Sequence, residues 1–264
     1  MKQLESKILE VLEQTAKKAG EFLLANRTKI IILAHKDRQD ILTNIDLGSE
    51  KIIIRNLTQA FPEWSILSEE KGAVDRKSDY QFIVDPLDGT KEYVRGIPLY
   101  NVSIALRYKD KLIAAAVYRP SEQQLFTGLI GVGAFSNGTE MHPSKIDSLA
   151  MSFVYIYFPS FSRHPETFSK QWQTIAMLNK AVYRMRSLSD ENTACCWVAL
   201  GGSEAHLNIS DPPKYWDIAP GICIAEAAGC KVTDCLGKPI DQSDIESVVI
   251  SNGLVHNEIL EVIK

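Results

Sequence analysis

The chain has 264 residues, 45% of them hydrophobic, enough apolar mass to bury a substantial core in one large domain or two smaller ones. Its 29 Lys and Arg against 33 Asp and Glu give a formal charge of -4 with the signs well mixed, which excludes a surface built to coat a nucleic-acid polymer. Cys195, Cys196, Cys223, Cys230 and Cys235 contain no Cys-x-x-Cys pair and the five histidines no zinc-like spacing, so the cysteines read as reduced core thiols and a zinc centre is excluded.

The first 20 residues read as a charged amphipathic helix, with Leu4, Ile8, Val11, Leu12 and Ala19 on one face, rather than as a signal peptide. No apolar run is long enough to span a bilayer, and a cytoplasmic protein without a membrane partner is expected. Residues 30–33 and 41–45 read as a hairpin across a polar loop at 36–40, followed by a helix over 47–60 closed by Phe61-Pro62. Residues 65–68 form a short strand running into Glu69-Glu70, and Phe82-Ile83-Val84 reads as a buried strand from whose end Asp85 emerges. Pro86 is expected to stop that strand. Residues 101–106, 112–118 and 124–128 follow as antiparallel strands, and Asn137-Gly138 as a hairpin turn.

His142-Pro143-Ser144 marks a boundary dividing the chain into domains at 1–145 and 146–264. Beyond it, strands at 151–158, 181–185, 205–209, 231–233 and 248–251 alternate with helical stretches, which predicts a layered α/β arrangement. Asp217 is a plausible N-cap for a helix that tolerates Pro220 in its first turn, carries Ile222, Ile224, Ala225 and Ala228 on its apolar stripe and stops at Gly229.

The segment Asp85-Pro86-Leu87-Asp88-Gly89-Thr90 carries the chemistry. It sets two carboxylates three residues apart at a turn, leaves the Leu87 carbonyl free, and ends in a glycine that lets main-chain N–H groups approach an anion. Carboxylates and carbonyls are the hard oxygen donors that Mg²⁺ prefers. Asp-Gly-Thr also reads as a plain turn before a helix. An EF-hand loop starting at Asp85 is excluded because Thr90 and Gly96 stand where Gly and Glu are needed. An Asp-x-Asp aspartyl-phosphate motif is excluded because the interval is one residue longer.

Ser68-Glu69-Glu70, the Asp85–Thr90 segment, and Trp216-Asp217-Ile218-Ala219-Pro220-Gly221 followed by Glu226-Ala227-Ala228-Gly229 resemble the three signature segments of the inositol monophosphatase superfamily of Mg²⁺-dependent, lithium-sensitive phosphatases. The resemblance covers nearly the whole chain and includes Asp40-Ile41-Leu42-Thr43-Asn44-Ile45-Asp46 before the second helix. It implies an alternating αβαβα sandwich with the active site where the two halves meet. It implies further that Glu69, Asp85 and the Leu87 carbonyl hold one Mg²⁺, that Asp85, Asp88 and Asp217 hold a second about 3.5–4 Å away, and that Asp46 assists a weaker third.

On the same resemblance, Thr90, with its hydroxyl near Glu69, relays the proton of the attacking water, and the N–H groups of Gly89 and Thr90 hold the phosphate. Glu69, Thr90 and Asp46 are thus the candidate catalytic residues, and Gly89, Thr90, Lys91 and Asp217 the candidate substrate contacts. A helix-cap role for Asp46 and a solvated role for Lys91 and Arg95 remain open beside these. The partner is a small phosphorylated metabolite, and family members are commonly homodimers.

Thr90-Lys91-Glu92-Tyr93 resembles the corresponding run of the 3'(2'),5'-bisphosphate nucleotidase branch, which makes adenosine 3',5'-bisphosphate the first expected substrate. Inositol-1-monophosphatase, or another sugar or histidinol phosphatase of the superfamily, is the alternative. Asn208 or Ser210 stands where inositol monophosphatases carry a sugar-contacting Glu, and Ser189-Asp190-Glu191-Asn192 replaces a run of small residues. Asp190 or Glu191 is a candidate for sugar hydroxyls or, alternatively, a helix-start acid. A non-catalytic metal-binding regulator is the reading from another class; it is disfavoured because Glu69 and Thr90 are both retained.

Overall fold

The computed structural model describes residues 2–36, 40–188, 190–209, 211–240 and 245–264. In chain order the elements are α1 (Lys2–Ala25), β1 (Ile32–His35), β2 (Ile41–Thr43), α2 (Asn44–Ala60), β3 (Ser65–Ser68), β4 (Gly72–Val74), β5 (Tyr80–Asp88) and α3 (Thr90–Val94). Next come β6 (Asn101–Tyr108), β7 (Lys111–Arg119), β8 (Gln124–Leu129), β9 (Gly133–Ser136), β10 (Thr139–Glu140), β11 (Phe153–Ile156) and α4 (Phe168–Ala181). The remainder are β12 (Arg184–Ser187), α5 (Glu191–Ala199), β13 (Ala205–Asn208), α6 (Tyr215–Ala227), β14 (Lys231–Thr233), β15 (Val248–Ser251) and α7 (His256–Ile263).

Strand periodicity sorts the side chains into layers. Phe82 and Val84 of β5 face one way, into a cluster with Leu12, Ala16, Ala19 and Leu23 of α1 and Ile53 and Leu57 of α2. Ile83 between them faces the other way, toward α5 and α6. Val248 and Ile250 of β15 meet that same helix layer from the opposite side, whereas Val249 points outward to α4 and α7. Alternation of period two along each strand thus generates helix, sheet, helix, sheet and helix layers. The eight-stranded sheet has the order β10-β9-β8-β7-β6-β5-β3-β4 and the five-stranded sheet β12-β11-β13-β15-β14.

The strands of the larger sheet all precede Met141 and those of the smaller all follow Ser152. α5 and α6 nevertheless come from the later stretch and pack against the earlier sheet, so the core runs across position 145. The two middle helices approach closely at Gly221, where a Cβ would lie 2.7 Å from that of Cys195 and 3.1 Å from Asn192 Cα. All five cysteines are free, and burial pushes the thiols of Cys195, Cys196 and Cys223 upward.

Several boundaries move for local reasons. The expected strand over 41–45 stops at Thr43 because Thr43 is an N-cap: its hydroxyl accepts the Ile45 N–H at 3.1 Å while Asp46 Oδ2 takes the Thr43 N–H at 2.8 Å, a capping box that starts α2 at Asn44 rather than 47. Pro86 does not stop β5. The neighbour β3 is already finished opposite Val84, and pairing with β6 is irregular between Asp85 and Asp88, so the missing N–H leaves no ladder bond unmade. The first hairpin strand is displaced from 30–33 to Ile32–His35, and the strand expected at 181–185 is Arg184–Ser187 because α4 runs through Ala181.

Candidate active site

Glu69 and Asp85 become neighbours through the parallel pairing of β3 and β5. Ser68 lies opposite Val84, and the Glu69 N–H bonds the Val84 carbonyl at 3.1 Å, so the two acids leave the sheet side by side. The Leu87 N–H donates to Asp85 Oδ1 at 3.0 Å and fixes that carboxylate. Asp217 arrives from the first turn of α6. It is not the N-cap that the sequence suggested, because Lys214 holds that position and the Asp217 N–H bonds the Lys214 carbonyl at 3.0 Å, leaving the Asp217 side chain to the cleft. Oxygens of Glu69, Asp85 and Asp217 lie within 4.8 Å of one another.

Asp88 lines the same cleft beside this triad. Its Oδ2 accepts from Asn101 Nδ2 at 2.9 Å, and the same nitrogen donates to Asp190 Oδ1 at 2.8 Å. Asp190 is the N-cap of α5, accepting from the Thr193 N–H at 2.8 Å, so the helix-start reading holds for it.

Burial, then the charges of Glu69, Asp88 and Asp217, raises the Asp85 carboxyl well above the usual range. Burial, then Asp190 and Asp217, does the same to Asp88. Asp217 is pushed up to about 8 by burial, with Glu69 and Glu191 adding. Buried carboxylates that repel one another and offer only hard oxygens form a donor set that a divalent cation relieves, so the residues fit Mg²⁺.

Two lysines that sequence patterning gave no reason to select also stand here. Lys36 Nζ is 2.9 Å from Glu69 Oε1 and 2.7 Å from Glu70 Oε1, while Lys214 Nζ is 3.6 Å from Glu69 and 3.4 Å from Asp40. Burial opposes the charge on Lys36, but the bond to Glu70 and the charge of Glu69 more than offset it, and its pKa is raised.

The Thr90 hydroxyl lies 2.9 Å from Asp46 Oδ1 and 2.9 Å from the Leu87 carbonyl. Its partners are these, and not Glu69 as the resemblance implied, because Thr90 opens α3 on the side of the loop facing α2. The cap reading of Asp46 holds, since Oδ2 closes the capping box, while Oδ1 receives the Thr90 hydroxyl. Gly89 precedes α3 at φ 86°, and a Cβ there would lie 2.5 Å from the Leu99 carbonyl. Only glycine lets the loop pass so close. Lys91 and Glu92 line the cleft, whereas Tyr93 is buried with its hydroxyl donating to the Leu23 carbonyl at 2.6 Å.

The same cleft is also lined by Tyr157, Arg163, Glu191, Asp211 and the Pro212-Pro213 pair. Arg163 Nη1 bonds Asp211 Oδ2 at 2.8 Å. Asn208 is fully buried beneath Glu191 and donates to its Oε1 at 2.9 Å; the alternative position, Ser210, and Ser189 lie outside the described residues. Tyr157 and Arg163 were invisible to sequence reasoning because neither sits in a spaced motif.

A model of the inositol monophosphatase family matches residues 4–264. The chain is 32% identical over 263 residues to a fructose-1,6-bisphosphatase/inositol-1-monophosphatase of Aquifex aeolicus, covering 98% of this chain and 96% of that one. It is 32% identical over 235 residues to Nus factor SuhB of Vibrio cholerae, covering 87% and 86%. Among solved structures, the SuhB protein of Bartonella henselae superposes with a TM-score of 0.90 at 28% identity, covering 97% of this chain and 98% of that one. An IMPase/NADP phosphatase complexed with Mg²⁺ and phosphate superposes at 0.82 with 26% identity, covering 99% and 95%. Signature segments, layer order and matched length agree: the chain belongs to the inositol monophosphatase family, whose members are phosphatases acting on phosphate monoesters.

Proposed function

We propose that the chain hydrolyses a sugar or polyol phosphomonoester with two or three Mg²⁺ ions bound. The observation that carries this reading is the approach, within 4.8 Å, of carboxylate oxygens from three distant stretches of chain, Glu69, Asp85 and Asp217. Glu69, Asp85 and the Leu87 carbonyl would hold one ion, and Asp85, Asp88 and Asp217 a second. When bound, Mg²⁺ supplies Lewis acidity toward the attacking water and neutralises phosphoryl charge.

The chain's own groups do the rest. The Gly89 and Thr90 N–H groups hold a phosphoryl oxygen, and the loop is preset for this by the left-handed backbone of Gly89. Thr90 and Asp46, already hydrogen-bonded, form the path along which the proton of the attacking water is taken away. Asn101 keeps Asp88 oriented, and Lys36 and Lys214 hold Glu69 at the rim.

A solved relative at 26% identity, a dual specific IMPase/NADP phosphatase, is bound with D-inositol-1-phosphate, and the Aquifex relative is named for fructose bisphosphate and inositol phosphate together. These names favour the sugar and polyol reading over the nucleotidase that the Thr90–Tyr93 run suggested. The nucleotide reading keeps Lys91 in the cleft but loses Tyr93, whose ring lies edge-on to Tyr100 in the core and cannot stack on a base. Side-by-side phosphate release from inositol 1-phosphate, fructose 1,6-bisphosphate, histidinol phosphate and adenosine 3',5'-bisphosphate, with Mg²⁺ and with EDTA, tests the proposal. Preference for the nucleotide would return the nucleotidase reading, and no release from any would favour a non-catalytic metal binder. The same reading carries the expectation of a cytoplasmic homodimer, the second part of which light scattering checks; among the described residues no helix is long and apolar enough to cross a membrane.

A further inference from the structure

Glu191 stands in neither of the proposed ligand sets, yet it lines the cleft while only 4% exposed. Its carboxylate is pinned from behind. Oε2 lies 2.9 Å from His206 Nε2, and Oε1 accepts from Asn208 Nδ2 at 2.9 Å. His206 is fully buried, and its Nδ1 has no partner among the described residues. A proton on Nε2 leaves only a bare acceptor at Nδ1, whereas the other tautomer would bury an N–H with nothing to receive it, the costlier orphan. His206 therefore donates to Glu191, both carboxylate oxygens act as acceptors, and their remaining lone pairs serve the cleft.

The charges around Glu191 sharpen its role. Arg163, which lines the cleft with Glu191 and Asp211, is already engaged by Asp211, which also lies 3.1 Å from His164 Nε2. Arg163 thus faces two carboxylates, Glu191 and Asp211. Tyr157 sits among these groups, its pKa raised to about 12 by burial, with Glu191 and Asp211 adding, so it presents a neutral phenol. A hydroxyl arriving here finds acceptors and a neutral donor. A second phosphoryl group, itself acceptor-only and dianionic near neutral pH, finds a fixed carboxylate and an arginine already held by Asp211.

We propose that Glu191, held by His206 and Asn208, selects the leaving group by accepting a hydroxyl of a sugar or polyol and rejecting a second phosphoryl group. This rests on the phosphomonoesterase reading above and adds to it the residue that sets specificity. The test compares wild type, Glu191→Gln and Glu191→Ala on inositol 1-phosphate and fructose 1,6-bisphosphate in Mg²⁺, with KM and kcat resolved and a melting curve for each protein. Wild type should favour inositol 1-phosphate through KM, and in both variants the ratio of kcat/KM, monophosphate over bisphosphate, should fall by about tenfold or more, as loss of a charged hydrogen bond predicts.

Equal loss on both substrates, or an unchanged ratio, overturns the assignment and leaves Glu191 as a packing residue. Should the variants not fold, wild type alone decides: a lower KM for the bisphosphate than for the monophosphate overturns it, and the reverse order supports it. A folded wild type that releases phosphate from neither substrate overturns the phosphomonoesterase reading itself, and this inference with it.

Discussion

Replacing Asp85 with Asn should make the metal-free protein more stable and the Mg²⁺-bound state unreachable. Asp85 is 2% exposed, and two unit charges at 4.8 Å, the outer limit of the separation between its oxygen and those of Glu69 and Asp217, repel by about 3.5 kcal/mol at an effective dielectric constant of 20. Protonation in the metal-free protein already relieves part of this, so the net gain from removing the charge at pH 8 is on the order of 2 kcal/mol. Asn is nearly isosteric and its Oδ1 can still accept the Leu87 N–H, so little packing is lost.

At about 2–4 °C per kcal/mol for a chain of this size, the variant in EDTA should melt roughly 4–8 °C above wild type. Mg²⁺ at a hundred times its dissociation constant should stabilise wild type by about 2.7 kcal/mol and the variant by nothing measurable. Thermal melts of both proteins in EDTA and in Mg²⁺ give all four values. A variant that melts lower than wild type in EDTA, and still gains stability from Mg²⁺, would refute the reasoning at its base.

Two further outcomes follow from the same geometry. Because the folded Asp217 carboxyl is raised from 3.8 to about 8, and burial raises Asp85 and Asp88 as well, the metal-free folded protein binds more protons than the unfolded chain across that window. Its melting temperature in EDTA should therefore fall as pH rises from about 4 to 8, and saturating Mg²⁺ should flatten the slope; a flat profile in EDTA would contradict the shifts. Gly89→Ala places a Cβ 2.5 Å from the Leu99 carbonyl at a φ of 86°, so the melting temperature should drop by several degrees, for a left-handed penalty of about 1–2 kcal/mol plus the clash, and phosphate release should fall with it. Wild-type melting and turnover in that variant would show that the loop does not hold the phosphate.

How much of this was legible in the sequence depended on whether a residue's role is local. The Asp85–Thr90 segment announces itself because two carboxylates, a loop carbonyl and a glycine fall within six positions, and strands alternating with helices predict a layered α/β fold, whereas the αβαβα order came from the family resemblance. Glu69 and Asp85 side by side require a parallel pairing across a crossover, which no spacing reveals. Asp217 was misread as a cap because an acid in the first helical turn is favourable at several positions, and only the backbone shows that Lys214 takes the capping place. Pro86 was misread because the rule against proline holds where both neighbours need a ladder bond, and β3 ends before reaching it. Lys36, Lys214 and Arg163 come from loops far apart in sequence. Asp190 and Glu191 looked alike as helix-start acids, yet one caps α5 and the other turns to His206 and the cleft.

The most direct test of the central claim is the anomalous difference map of a crystal soaked with Mn²⁺ in place of Mg²⁺. The account predicts peaks bridged by Asp85, with Glu69 on one side and Asp217 on the other, at metal–oxygen distances of about 2.0–2.2 Å. No peak among these carboxylates, or a single ion that Asp85 does not touch, would contradict it.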